Sequence, residues 1–394
     1  MQDIGCVNQL LFVRFKWGGM RKLLVISTGY YVLICLAVMI SVLAEPQFAE
    51  SHDWQDTDFS RATVEFDGMI EGGPGKDGIP SIDKPEFETI DSAEKWLDSR
   101  DPVVVFSSGM ESRAYPLQIL IYHEIVNDQL AGHEVAITYC PLCNAAMVFS
   151  RRHKGELLDF GTTGKVYTNN LVMYDRQTQS WWLQFTGDGV VGSYAGDTLQ
   201  LLPSQIVSFE QFKDAHPSGK VLSINTGFHK KYGVNPYVNY DSRNVPIGWF
   251  YRKPFDKRLP AMERVLGVVD GDKAAAFPFS YLSTTPIVQT RIGESEVLVI
   301  SKPGMASAVD ARTIRESKDI LAAAAYSRKA GDQLLDFKLS ENTIVDVQTG
   351  STWNMFGVAI DGELKGTRLE KIDRGVFFSF VWLDFFPASL IFRE

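Results

Sequence analysis

The stretch "VVVFSSGMESRAYPLQIL", Val103 to Leu120, lies without a gap over "VLGVVDGDKAAAFPFSYL", Val265 to Leu282, at an offset of 162 residues. At that offset 11 of the 48 positions from Val103 to Ser150 are identical, among them Gly109/Gly271, Pro116/Pro278, Val135/Val297 and Pro141/Pro303. Further on, "DRQTQSWW" from Asp175 matches "DVQTGSTW" from Asp346, and Gly187, Gly192, Gly196 and Leu199 match Gly357, Gly362, Gly366 and Leu369. This is the signature of an internal duplication. Two copies of one unit are expected, residues 100–225 and 262–394, joined by an aromatic, proline-rich segment at 226–261. Short apolar runs (Val103–Phe106, Val135–Tyr139, Ala146–Phe149, Leu171–Tyr174, Trp182–Phe185, Val297–Ile300) alternate with Gly, Asn and Asp turns. They predict a mainly β fold with a few helices (α+β), each copy sandwich- or barrel-like.

A chain of 394 residues with 45% apolar composition can bury a sizeable core. Its net charge of -9 and the lack of a dense Lys/Arg run argue against a nucleic-acid partner, which needs clustered cations against phosphate. "MRKLLVISTGYYVLICLAVMISVLAEP", Met20 to Pro46, has a basic start, an uncharged apolar run and a small-residue exit after Ala44. Residues 1–44 therefore read as a secretory signal with its natural start at Met20, or as an N-terminal membrane anchor through 23–44. Either places the protein outside the cytoplasm, in a periplasmic or similar compartment. Cleavage would remove Cys6 and Cys35 and leave Cys140 and Cys143. Residues 45–99, with "EGGPGKDGIPSIDKP", read as a linker and extension. The C-terminal run "VFFSFVWLDFFPASLIF" is expected to be a core helix rather than a membrane segment, because its counterpart "VSFEQFKDAHPSGKVL" is of mixed composition and Phe212 stands where Trp382 does.

A duplication supplies its own control, since chemistry confined to one copy is local to that copy. Asp175, Thr178, Ser180 and Trp182 recur as Asp346, Thr349, Ser351 and Trp353, so they read as a structural turn. The cysteines of "VAITYCPLCNAAMVFSRR", Val135 to Arg152, behave in the opposite way. Cys140 and Cys143 fall on Lys302 and Met305, while Pro141 keeps its partner; His123, Glu124 and His133 fall on Thr285, Pro286 and Ser295. Three readings follow. A Cys-x-x-Cys turn points two sulfurs at one transition metal, zinc or copper, with His123 as a further ligand. The same pair serves thiol-disulfide exchange. Or it is a passive disulfide in a binding or scaffold protein. Tyr139, Arg113, Arg151, His133, His153 and Lys165 are candidate pocket residues around the pair. "DFGTTGKVYTNN", Asp159 to Asn170, lacks phosphate-loop spacing and reads as a hairpin.

Together "GGPGKDGIPSID", "YHEIVND", "ITYCPLCNAAMVF", "LDFGTTG", "LVMYDRQTQSWWLQFTGDGVVG" and "YGVNPYVNY" resemble the bacterial and archaeal family called domain of unknown function 3179, over about residues 70–394. The resemblance implies the domain and no settled activity. The expectation is an exported protein that binds copper or zinc through Cys140, Cys143 and His123. A thiol oxidoreductase using the same cysteines is the alternative, and its small-molecule partner is not specified by the sequence.

Overall fold

The computed structural model describes residues 52–393. The chain divides into two compact units, residues 1–55 and 56–394. Of the first, only a 3-10 turn at His52–Trp54 is described, and the signal or anchor expected over 1–44 lies outside the described residues. The second unit is mainly β, and the described residues are 43% strand and 12% helix. The apolar runs read from sequence form strands, because β-branched and aromatic side chains fit a pleated surface that is buried on at least one face.

A hairpin of Pro102–Ser108 and Glu111–Pro116 turns at Gly109 and leads into helix Leu117–His123. Strands Ser204–Ser208 and Lys220–Leu222 flank it, one on each edge. Further along, Arg264–Asp270 and Lys273–Pro278 turn at Gly271, lead into helix Phe279–Leu282, and are flanked by Asp373–Phe378 and Leu390–Ile391. Both turn glycines have positive φ, 59° and 57°, a conformation in which any side chain is strained.

The next sheet corrects the ungapped register expected up to Ser150. His133–Cys140 pairs with Ala145–Ser150 across a four-residue turn, Val135 opposite Ser150 and Cys140 opposite Ala145. In the second half Ser295–Ala306 pairs with Asp319–Ser327, Val297 opposite Ser327 and Lys302 opposite Ala322. Residue 150 thus corresponds to 327, and the loop 307–318 is extra. At this offset of 177, eight of the 16 positions from Ala145 to Phe160 are identical to 322–337.

A third hairpin also differs between the halves. It runs through 160–175 in the first and only through 337–346 in the second. The longer one has left-handed residues at its tip, Thr168 and Asn169. Its bulge holds Gly164, where a Cβ would stand 2.0 Å from the Pro74 carbonyl oxygen, so the Gly72–Pro74 stretch can lie against it.

The described part of 45–99, from His52 on, is more than a linker. Met69–Glu71 pairs with the strand Phe160–Tyr167, and Phe87–Thr89 with Lys220–Leu222. Loop-like composition hid these strands because each is only three residues long. The connecting segment 226–261 is tied to the extra loop: Asn235 N–H donates to Arg312 O (2.8 Å), Asn239 N–H to Asp310 O (2.6 Å) and Tyr240 N–H to Val309 O (2.9 Å). The C-terminal run forms helix Ser379–Phe385, with Trp382 fully buried against Phe377 and Phe386. Among the described residues no helix is long and apolar enough to cross a membrane. The main apolar core takes side chains from both halves, including Phe149, Phe185, Phe377 and Trp382, and it contains both cysteines.

Candidate functional site

Cys140 ends its strand, and the turn closes by Cys143 N–H to Cys140 O (3.2 Å) and Asn144 N–H to Pro141 O (3.4 Å). Asn144 takes up the left-handed backbone, φ 54°, that the sequence allows after such a turn. Among the described residues both thiols are free and unbonded to each other, and both are buried: Cys140 is 1% exposed and Cys143 0%.

The tip of the long hairpin lies on the turn. The Cys143 thiol donates to Asn169 O (3.1 Å), and the Asn170 side-chain amide donates to Cys143 Sγ (3.6 Å). Asn170 is held in turn by Gln184 Oε1 (2.9 Å) and by Phe185 N–H (2.9 Å), and Gln184 donates to Thr138 Oγ1 (2.9 Å) and Ala145 O (3.0 Å). From the connecting segment, the Tyr240 hydroxyl donates to Leu142 O (2.9 Å). From the C-terminal part, Phe378 N–H donates to Cys143 O (2.9 Å). Three separated stretches of chain therefore close over one four-residue turn.

The two thiols are electrostatically unequal. Burial opposes ionisation of Cys140, but hydrogen bonding from the Cys143 thiol and from backbone groups of Leu171, Cys143 and Leu142 outweighs it and brings the Cys140 pKa below the usual thiol value. Cys143 is pushed well above that value by burial first, then by the neighbouring Cys140 sulfur. Glu124 is also buried, and its carboxyl is raised well above the ordinary range by burial and by the charge of Cys140.

Of the residues expected at the site, His123 is turned elsewhere. Its Nδ1 donates to Pro80 O (2.7 Å) and its Nε2 accepts from the Tyr232 hydroxyl (2.7 Å), so neither ring nitrogen is free for a metal. Among the described residues no cluster of three or more His, Cys, Asp or Glu side chains could hold a metal ion. Tyr139 is fully buried, with a hydroxyl that has no hydrogen-bond partner among the described residues.

The remaining candidates have other occupations. Arg113 grips Asp128 (2.6 and 2.8 Å), and Arg151 donates to Leu158 O (2.8 Å) and pairs with Asp159. Arg328 repeats the Arg151 contacts with Leu335 O (2.9 Å) and Asp336. His153 meets Asp197 (3.0 Å), Lys165 meets Glu71 (2.6 Å), and His133 is exposed at a strand end. The turn residues behave as their recurrence implies: Asp175 accepts from Thr178 N–H (2.6 Å) and Trp182 Nε1 (2.9 Å), Asp346 from Thr349 N–H (2.6 Å) and Trp353 Nε1 (2.9 Å). Ser180 and Ser351 each hydrogen-bond the threonine of their own turn.

At the corresponding place in the second half, Pro286, Ser301 and Pro303 line a cavity of about 540 Å³ instead. The residues that sequence reasoning missed are Asn169, Asn170 and Tyr240. The first two sit at the tip of the hairpin that is shorter in the second half, and the length difference is the signal that could have found them. Neither a comparison with curated proteins nor one with solved structures gives a match. A family profile does match, over residues 76–389, and by that match the chain belongs to the family described as protein of unknown function (DUF3179).

Proposed function

We propose that the protein is an exported dithiol protein in which Cys140 and Cys143 cycle between two thiols and a disulfide, and that it is built from two copies of one unit of which only the first carries the pair. The observation that carries this reading is the unequal surroundings of two adjacent, unbonded thiols: Cys143 meets Asn169 O at 3.1 Å and the Asn170 amide at 3.6 Å, whereas Cys140 lies 3.9 Å from Asn169 O. That asymmetry suits a nucleophilic sulfur with a resolving partner. The parallel order of hairpins, helices and edge strands in the two halves supports the duplication.

A zinc site is less well supported, because His123 is bonded on both ring nitrogens and zinc takes four ligands. Copper(I), a soft ion that two thiolates suit, is the competing occupant.

The test is to purify the chain without a metal-affinity tag and to measure bound metal, free thiols and reversible oxidation on one preparation. The expected result is two thiols that glutathione disulfide converts to one disulfide and dithiothreitol restores, with no disulfide formed in Cys140→Ser. About one copper per chain, retained through dialysis and blocking alkylation, would replace the redox reading with a metal one.

A further inference from the structure

We infer that the second half carries a binding site for an aliphatic carboxylate, in the cavity of about 540 Å³ that Ser301 and Pro303 line. Nothing in this site involves the thiols, so it stands apart from the dithiol reading. Arg264 begins the strand Arg264–Asp270 and lines the cavity, its side chain only 6% exposed. A buried guanidinium has five N–H donors to satisfy. Here Nη2 donates to Asp241 Oδ2 (2.7 Å) and to Ser307 Oγ (2.9 Å), whereas Nε is buried and, among the described residues, has no acceptor. The guanidinium lies over the Phe378 ring, 5.1 Å from its centroid, which holds the side chain in place. A buried donor without an acceptor is costly, and a ligand oxygen in the adjoining cavity removes that cost.

The charges around the guanidinium favour an anion. Asp241 has a wholly buried side chain, and its second oxygen has Lys318 Nζ 3.0 Å away. Arg264 and Lys318 thus share a single carboxylate, which leaves one positive charge over. The other two carboxylates of the lining are engaged elsewhere: Asp319 accepts Gly304 N–H (3.1 Å) and meets Arg100 (3.5 Å), and Glu263 accepts Ser280 N–H (2.8 Å). Much of the remaining wall is apolar, made by Met262, Phe279, Leu282, Ile320 and Leu321. A concave, largely apolar site of this size with a few placed polar groups is the usual form of a small-molecule site. A carboxylate on an alkyl chain matches both parts: an oxygen accepts from Arg264 Nε, and the chain is covered by the aliphatic wall.

Set against the first half, these residues are particular to the second. Arg264 falls on Pro102, which begins the matching strand Pro102–Ser108 without a charge. Ser301 falls on Tyr139, a far larger side chain and fully buried. Ser307 and Lys318 belong to the extra loop, and Asp241 to the connecting segment, so the first half has no counterpart of any of them. A structural tie between Arg264 and Asp241 would need neither the unaccepted Nε–H nor the small serine that opens the wall. At the corresponding place on the scaffold the first half holds thiols, and the second a cavity with a cation in its wall.

Isothermal titration of the full chain at neutral pH with octanoate, octanol and octylammonium separates charge from chain. Saturable octanoate binding is expected, with Kd of about 1 mM or tighter, and binding of the other two weaker by about tenfold or more. Arg264→Lys keeps a cation for Asp241 but removes the unaccepted N–H, and should weaken octanoate by about 10- to 100-fold. Ser301→Tyr puts the first half's residue into the cavity and should abolish binding; Leu321→Trp, from another part of the wall, should do the same. Melting curves without ligand show which variants keep the fold, and the three-ligand comparison on the unaltered chain needs no variant. Absence of saturable octanoate binding would overturn the inference, as would octanol or octylammonium binding as tightly, or an unchanged affinity in Arg264→Lys. Folded Ser301→Tyr and Leu321→Trp proteins that still bind octanoate would move its site elsewhere and overturn it as well. None of these outcomes requires the thiols to cycle, so the dithiol reading stands or falls separately.

Discussion

At the scale of single residues, the site is a problem of proton placement. Because burial raises Glu124, the folded chain keeps this carboxyl protonated where the unfolded chain would ionise it. Stability from this group is therefore full below the ordinary carboxylate pKa and is lost as pH rises toward the raised folded value. Glu124→Gln, always uncharged, lacks that slope. Denaturant midpoints measured at about pH 5 and pH 8 should show the variant gaining on the wild type at the higher pH; equal differences at both would contradict the burial assigned to Glu124. The Cys140 thiol is lowered in part by the Cys143 thiol when that group turns its one proton from Asn169 O toward Cys140. In Cys143→Ala the pH dependence of Cys140 alkylation should move upward, and an unchanged profile would show that the backbone groups alone set it. The cysteines were legible in the sequence as a pair present in one copy. The metal role expected of His123 was not supported, since its loss from the second half accompanies a shorter helix, Phe279–Leu282 against Leu117–His123. Co-loss reported a shared element, and only the fold shows which way each ring or carboxyl turns.

At the scale of elements, what recurs is scaffold and what differs in length is site. The Asp-x-x-Thr-x-Ser-x-Trp turn ties two strands through a carboxylate that accepts several hydrogen bonds in each half. Hydrogen bonds to a charged group contribute about 1.5–3 kcal/mol each. Asp346→Ala should therefore lower stability by about 2–4 kcal/mol with no change in thiol cycling rate, checked by chemical denaturation beside the redox assay. For Asp346 burial acts to raise the carboxyl, but hydrogen bonds from Trp353, Thr349 and Ser351 outweigh it and leave it lowered. Its contribution is therefore present at neutral pH and is lost as pH falls through the lowered value, a slope opposite to that of Glu124. The strands themselves were readable from apolar runs and turn residues. The two length changes were readable only as their net, an offset rising from 162 at Val103 to 171 at Asp175: an ungapped match can slide across a turn without losing its identities at once, and only the pairing of Val135 with Ser150 and of Val297 with Ser327 fixes where residues enter.

At the scale of the molecule, the halves are joined at the cysteine turn. The connecting segment supplies Tyr240 to the cysteine turn and is held from behind by the extra loop of the second half, through Asn235, Asn239 and Tyr240 N–H. The C-terminal part reaches the same turn through Phe378, and Trp382 and Phe377 pack with Phe185 of the first half. The second half, which has no thiols of its own, thus completes the wall around the pair. The sequence pattern pointed to two copies of one unit, but a shared core has no periodicity to read: its residues come from distant stretches and meet only in the folded chain. Sharing a core predicts that the halves unfold as one. Trp382→Ala removes a fully buried indole and should cost about 3–5 kcal/mol. Fluorescence and alkylation of Cys140 and Cys143 should report one common midpoint in denaturant, shifted together in the variant. If the thiols became reactive well before the tryptophan signal moved, the site would be opening locally. If Trp382→Ala split the curve into two transitions, the halves would be independent domains, and the wall around the cysteine turn would belong to the first half alone.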